Sequence, residues 1–293
     1  TLVARGGMGA VYRAIDEKLG RTVAIKFLLA ELAEDEVCLA RFEREASATA
    51  RLSHPAIVQV LDFGKHEGAP YLVMEHLVGR TIADELDGKG KVEPLRAADW
   101  IEQALAGLSA AHQEGIVHRD IKPGNIMVAR VGGEVMAKLV DFGLSRRFGE
   151  DDRVTASGVA LGTPPYMSPE QIMGERVGPS SDVYSVGCTL FELLAGRPPY
   201  DMRESKNVAA LFRKIIEELP PLISELRPDV PSELGYVIDR ALHRDRSVRY
   251  ADCNAMRYAL LEAMGDQRGS GAPGALTSFC GDDDEDELSR DAS

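Results

Sequence analysis

At 293 residues the chain is long enough to form two lobes around a substantial core, and too long for one small fold. Its 44% apolar and 28% charged residues match an ordinary globular protein. A net charge of −13 argues against a nucleic-acid-binding body, which would need a basic face to neutralise phosphate, although much of that charge is local, in the run Asp282-Asp283-Asp284-Glu285-Asp286-Glu287.

In chain order, short β-type runs come first, Val11-Tyr12-Arg13-Ala14 and Thr22-Val23-Ala24-Ile25, separated by turn formers such as Gly20. Leu39, Phe42, Ala46 and Ala50 then recur at helical spacing and predict an amphipathic helix over 37–52, stopped by His54-Pro55. Strands are predicted at Ile57–Phe63 and Tyr71–Glu75. After Gly79 the pattern turns helical, over 97–114, 182–194, 208–218, 234–242 and 252–263. From Gly265 on, Gly, Ser, Asp and Glu dominate without periodicity, which reads as a disordered tail. No internal repeat is present. The cysteines Cys38, Cys188, Cys253 and Cys280 are scattered, with no CxxC pair or metal-ligand spacing, and suit a reducing compartment. No signal peptide and no bilayer-length apolar run is evident. The chain opens on Thr1 rather than Met and enters a strand pattern at once, which reads as a fragment of a longer protein.

Three strings stand out: Val23-Ala24-Ile25-Lys26, then His118-Arg119-Asp120-Ile121-Lys122-Pro123-Gly124-Asn125, then Asp141-Phe142-Gly143. Each alone is weak, but all three in this order are hard to obtain by chance. They carry complementary parts of one reaction: a lysine for nucleotide phosphates, an aspartate to take a hydroxyl proton, and an asparagine and second aspartate for magnesium. From about Val3 to about Met264 the chain resembles the eukaryotic-like (Hanks-type) serine/threonine protein kinases, the bacterial branch in particular. The resemblance implies an α+β, two-lobed protein kinase fold over 1–264. Residues 1–76 would be a β-rich N-lobe with one long helix, lacking the start of its first strand, and 77–264 a mostly helical C-lobe, followed by the acidic, Gly/Ser-rich tail 265–293.

The resemblance also implies roles. Ala4-Arg5-Gly6-Gly7-Met8-Gly9-Ala10-Val11 is similar to the glycine-rich loop, whose bare backbone approaches and covers phosphates. That makes Ala4, Gly6, Gly7, Met8 and Gly9 nucleotide-binding candidates; Ala4 stands where the family has its first glycine, adding one methyl to the turn, with which binding should be retained. Val11 and Ala24 would form the upper wall of an adenine pocket, Met127 its floor, and Met74 its rear guard. Backbone groups in Met74-Glu75-His76-Leu77 would pair with adenine. Lys26 would hold the α and β phosphates, steadied by Glu45; Glu43 competes, and the string Arg44-Glu45-Ala46 favours Glu45.

Asp120 is the candidate base, and Lys122 would neutralise charge on the transferred group. Asn125 and Asp141 supply hard oxygens suited to magnesium. His118 and Phe142 read as packing residues. Gly162–Glu170 is similar to the segment that ends the activation loop, with Thr163 hydrogen-bonded to the catalytic aspartate and lysine and Glu170 paired with Arg249. Asp182 would stand at a helix start, under the catalytic loop, accepting backbone N–H bonds. Thr155 and Ser157 are candidate phosphorylation sites, with Arg119 as the receiving cation. The implied reaction takes ATP and Mg2+ to protein Ser/Thr acceptors, with a transient homodimer for autophosphorylation in trans. The domain would be cytoplasmic, with membrane attachment only through parts outside this chain. A pseudokinase scaffold and a small-molecule kinase are the competing readings.

Overall fold

In the computed structural model, residues 1–6, 9–28, 42–43, 46–142 and 163–268 are described. Strict alternation builds the first sheet. Along Ala69–Glu75, Leu72 and Met74 face inward while Tyr71, Val73 and Glu75 face the other side, a two-residue period that only a strand can satisfy. Strands β1 (Leu2–Gly6), β2 (Gly9–Asp16), β3 (Arg21–Leu28), β4 (Val60–His66) and β5 (Ala69–Glu75) pair antiparallel in the order β1-β2-β3-β5-β4. Gly9 is fixed by the close approach of β3: a Cβ there would lie 1.9 Å from the Phe27 carbonyl oxygen. Leu28, Val58, Val60, Leu72 and Met74 bury against Phe42 and Ala46 to form the small lobe's core.

Residues 42–43 and 46–50 are helical, within the span predicted for 37–52, whose remaining residues up to 45 lie outside the described ones. The chain leaves the helix at Arg51, short of the predicted Leu52, and Leu52 joins the core of the large lobe. The strand predicted at Ile57 begins only at Val60, because Ile57 and Val58 pair instead with Leu139 of the large lobe.

The large lobe holds a small sheet, β6 (Gly79–Thr81), β7 (Ile126–Val131) and β8 (Glu134–Leu139), in that order. Its helices are α1 (Ile82–Lys89), α2 (Pro94–Gln113), α3 (Pro169–Ile172), α4 (Pro179–Ala195), α5 (Val208–Glu217), α6 (Ile223–Leu226), α7 (Ser232–Ala241) and α8 (Cys253–Arg268). Helices α2 and α4 start a turn earlier than their apolar pattern, since Pro94 and Pro179 occupy first-turn positions where a missing N–H costs nothing. Helix α8 runs on to Arg268, so the helical body extends past Met264; residues from 269 lie outside the described ones. Ala98, Ile101, Leu105 and Leu108 give α2 its buried face. Helix α4 is buried nearly all round, from Ser181 through Leu194, which marks it as the central post of the lobe. Cys188 and Cys253 are buried thiols. Among the described residues no helix is long and apolar enough to cross a membrane.

One buried ion pair ties the segment at 163–172 to this body. Arg249 donates from both terminal nitrogens to Glu170, at 2.8 and 2.9 Å, and each residue is only 2% exposed. Burial acts to raise the Glu170 carboxyl, but Arg249 and the Ser181 hydroxyl outweigh it and hold the group below its ordinary value of 4.5. Such a pair contributes its stability in full above that value and loses it as pH falls through the depressed one. Arg249→Met should therefore cost about 3–5 kcal/mol in urea unfolding at neutral pH. The gap from wild type should narrow as pH drops below 4.5; an unchanged gap would contradict the assignment.

Candidate active site

Between α2 and the single 3-10 turn at Pro123–Asn125, residues 117–122 belong to no helix or strand, so their shape must be imposed from outside. Asp182, in the first turn of α4 and fully buried, does this: its carboxylate accepts the backbone N–H of His118 at 2.9 Å and of Arg119 at 2.8 Å. His112 Nε2 closes on the same group at 2.7 Å. The N–H groups that Asp182 caps are thus those of the loop. Arg119 adopts φ 68°, the left-handed region that costs a bulky residue about 1–3 kcal/mol and persists only where contacts enforce it.

That turn delivers Asp120, 8% exposed, into a ring of partners. Lys122 Nζ lies 2.7 Å from Asp120 Oδ2 and also donates to Thr163 Oγ1 at 2.7 Å. The Thr163 hydroxyl donates to Asp120 Oδ1 at 3.2 Å. Asn125 Nδ2 donates to the Asp120 carbonyl at 2.8 Å and to Oδ2 at 3.1 Å, leaving its own Oδ1 as an acceptor. The 163–166 segment, 43 residues on from the loop, thus meets it directly at the carboxylate.

Across the cleft, Lys26 on β3 is 7% exposed and its Nζ sits 2.6 Å from Asp141 Oδ1. Asp141 also has a left-handed backbone, φ 61°. Burial acts to raise its carboxyl, but the Lys26 ammonium wins and holds it below the ordinary value. His118 is buried, its ring 4.6 Å from that of Phe142 and its Nε2 3.1 Å from the Val140 carbonyl oxygen; burial holds its pKa below the ordinary value, and the ring packs. Asn125 and Asp141 are two oxygen donors beside the same cleft, and no group of three or more His, Cys, Asp or Glu forms a metal cage among the described residues. Two protein oxygens fit magnesium, which keeps waters and phosphate oxygens as its other ligands.

The remaining sites fall as follows. Ala4 is an exposed strand residue opposite Val11, not part of a turn. Gly6 ends β1 and Gly9 begins β2, while Gly7 and Met8 between them lie outside the described residues, as do Glu45, Thr155 and Ser157. Val11 pairs with Lys26 and Ala24 with Met74 across the sheet. Met74 is 7% exposed and is part of the small-lobe core, with Ala24 and Leu77 packed against it. Met127, on β7, is opposite Thr81 and Lys138. The Glu75 N–H donates to the Gln59 carbonyl at 3.0 Å and is already used within the protein. Its side chain accepts Gln59 N–H at 2.8 Å and Lys138 Nζ at 2.6 Å, a bridge between lobes that none of the sequence motifs announces.

A protein kinase domain model matches residues 1–261. The chain belongs to the protein kinase family. Its relatives place it in the bacterial serine/threonine branch. A probable serine/threonine-protein kinase of Streptomyces coelicolor is 41% identical over 280 residues, covering 94% of this chain and 41% of the relative. Serine/threonine-protein kinase PknB of Mycolicibacterium smegmatis is 41% identical over 278 residues, 93% of this chain and 43% of its own length. The chain thus spans about two-fifths of these curated relatives. Among solved structures, the PknI kinase domain of Mycobacterium tuberculosis superposes with a TM-score of 0.71 at 28% identity, covering 90% of this chain and 94% of that one. Rad53 1–466 in complex with AMP-PNP gives 0.73 at 25% identity, over 89% and 64%. The two-lobed architecture is the kinase fold, and the family is one that uses ATP.

The Lys26–Asp141 contact makes a direct prediction. In Lys26→Met, Asp141 loses its strongest lowering influence and keeps only those of His118 and Lys122 against burial, so its carboxyl should titrate higher than in the wild type. Carbon-detected NMR of the Asp141 carboxyl reads this; an unmoved titration would show that Lys26 does not set its charge.

Proposed function

We propose that this chain transfers the γ-phosphoryl group of ATP to serine and threonine hydroxyls of proteins. The observation that carries the reading is the contact ring of Asp120 with Lys122, Asn125 and Thr163, all within 3.2 Å, facing a Lys26–Asp141 pair from across the cleft. Asp120 accepts the proton of the acceptor hydroxyl late in transfer, a task that needs placement more than a raised pKa. Lys122 is already shared between Asp120 and Thr163, so its ammonium stands beside the reacting oxygen and offsets charge gathering on the moving group. Thr163 aligns Asp120 and Lys122 from the substrate side. Lys26 leaves Asp141 to hold the α and β phosphates, with Glu45 as its proposed partner.

Asn125 and Asp141 would hold magnesium through Asn125 Oδ1 and the Asp141 carboxylate. The ion, when bound, neutralises phosphate charge. Val11, Ala24, Met74, Leu77 and Met127 are the proposed adenine walls, and Gly6–Gly9 the phosphate cover. Retention of Lys26, Asp120, Asn125 and Asp141 in mutual register weighs against a non-catalytic scaffold. The relatives' names support protein substrates. Phosphorylation of Thr155 or Ser157 by a second copy, and a cytoplasmic domain anchored through parts outside this chain, belong to the same proposal.

Asp120→Asn should lower turnover by about 100- to 10,000-fold while ATP affinity is unchanged, because the lost group faces the acceptor and not the nucleotide. Turnover with Mg-ATP and a threonine peptide, together with calorimetric ATP binding, gives both numbers. Turnover near wild type would remove Asp120 from the mechanism.

A further inference from the structure

The strained turn ahead of Asp120 is held on two sides, and only one of them is Asp182. The Arg119 carbonyl, which belongs to the peptide joining Arg119 to Asp120, accepts a hydrogen bond from Gln171 Nε2 at 3.0 Å. Gln171 sits in α3, immediately after the 163–168 segment. Its other terminal atom is engaged in a different task. Gln171 Oε1 accepts the Ser168 N–H at 3.0 Å and the Ser168 hydroxyl at 3.1 Å, completing the capping box that starts the helix. One primary amide thus bridges two elements: its oxygen fixes the segment beyond Thr163, and its nitrogen fixes the peptide that aims Asp120. Next to it, Glu170 is clamped by Arg249 and by the Ser181 hydroxyl at 2.7 Å, so the base from which Gln171 reaches is rigid.

We infer that Gln171 is a positioning residue for phosphoryl transfer, linking correct seating of the 163–168 segment to the orientation of Asp120. The inference rests on the reading of Asp120 as the base. The chemistry of the side chain separates it from a simple cap. Glutamate serves a capping box as well as glutamine does, but it has no N–H to give the Arg119 carbonyl and turns a carboxylate oxygen towards it. Methionine loses both functions at nearly the same size. If Gln171 only capped the helix, Gln171→Glu would behave as wild type and Gln171→Met alone would suffer.

The test is steady-state kinetics of the whole chain with Mg-ATP and a threonine peptide that the wild type turns over, for wild type, Gln171→Glu and Gln171→Met. Thermal unfolding of each variant is followed alongside. Both variants should lose about tenfold or more in kcat with KM for ATP unchanged, the pattern of a misaimed catalytic group. Gln171→Glu should unfold with wild-type cooperativity, since its cap survives. A wild-type kcat in Gln171→Glu, in Gln171→Met or in both would overturn the inference, as would a loss confined to KM. Asp120→Asn is measured in parallel: substantial turnover there would overturn the assignment of the base, whereas an inactive Asp120→Asn beside an unimpaired Gln171→Glu would overturn the role of Gln171 alone.

Discussion

The carboxylate of Asp182 is the point on which the site is built. It sits fully buried at the start of the central helix and accepts two backbone N–H groups from consecutive residues, His118 and Arg119. Hydrogen bonds to an ionised group are worth about 1.5–3 kcal/mol each, and two of them exceed or match the strain of a left-handed Arg119. Without that anchor only the Gln171 bond to the Arg119 carbonyl would hold the turn, and without the turn Asp120 does not reach Lys122, Asn125 and Thr163. The dependence runs from a buried helix outward to the chemistry. Phosphoryl transfer asks little covalent work of a protein and much positioning, so an anchor in the most rigid part of the fold is where such a site gains its accuracy.

Ion pairs with at least one buried partner divide the rest of the work. Glu170 with Arg249, Glu75 with Lys138 and Lys26 with Asp141 each join elements far apart in sequence. Burying such pairs yields little net stability compared with apolar packing, whereas leaving one partner alone is costly, so they act as pins that reject wrong arrangements. The first locks the 163–172 segment to the large lobe, and the other two cross between lobes. The last differs in kind, since in the proposed function Lys26 gives up Asp141 for the phosphates of the nucleotide.

Much of this was legible in the sequence, for physical reasons. The residues proposed to carry the chemistry, Lys26, Asp120, Asn125 and Asp141, stand in short strings at readable spacing. The long helices α2, α4, α5, α7 and α8 announced themselves by apolar period. What was not legible depends on which atom meets which. No pattern states that the Glu75 N–H is spent on Gln59, or that Lys138 crosses to the Glu75 carboxylate of the small lobe. The hairpin of β7 and β8 escaped because its strands are short and interrupted by Lys138 and Arg130, though Gly132-Gly133 at its turn was a usable signal. Gln171 was similarly open to notice, since Ser168-Pro169-Glu170-Gln171 spells a capping box; its second bond, to Arg119, exists only in three dimensions.

The central claim, that Asp182 sets the catalytic loop and the loop sets the rate, is tested most directly by Asp182→Asn. The amide preserves shape but turns one oxygen acceptor into a donor facing the N–H of His118 or Arg119. Single-turnover phosphoryl transfer at saturating ATP, with hydrogen exchange of those two amides read in the same samples, isolates the effect. The account predicts that both amides lose protection while those of α4 keep theirs, and that transfer slows by about 100-fold with ATP binding unchanged. Wild-type transfer with deprotected amides would contradict it, because the loop's conformation would then not govern the chemistry.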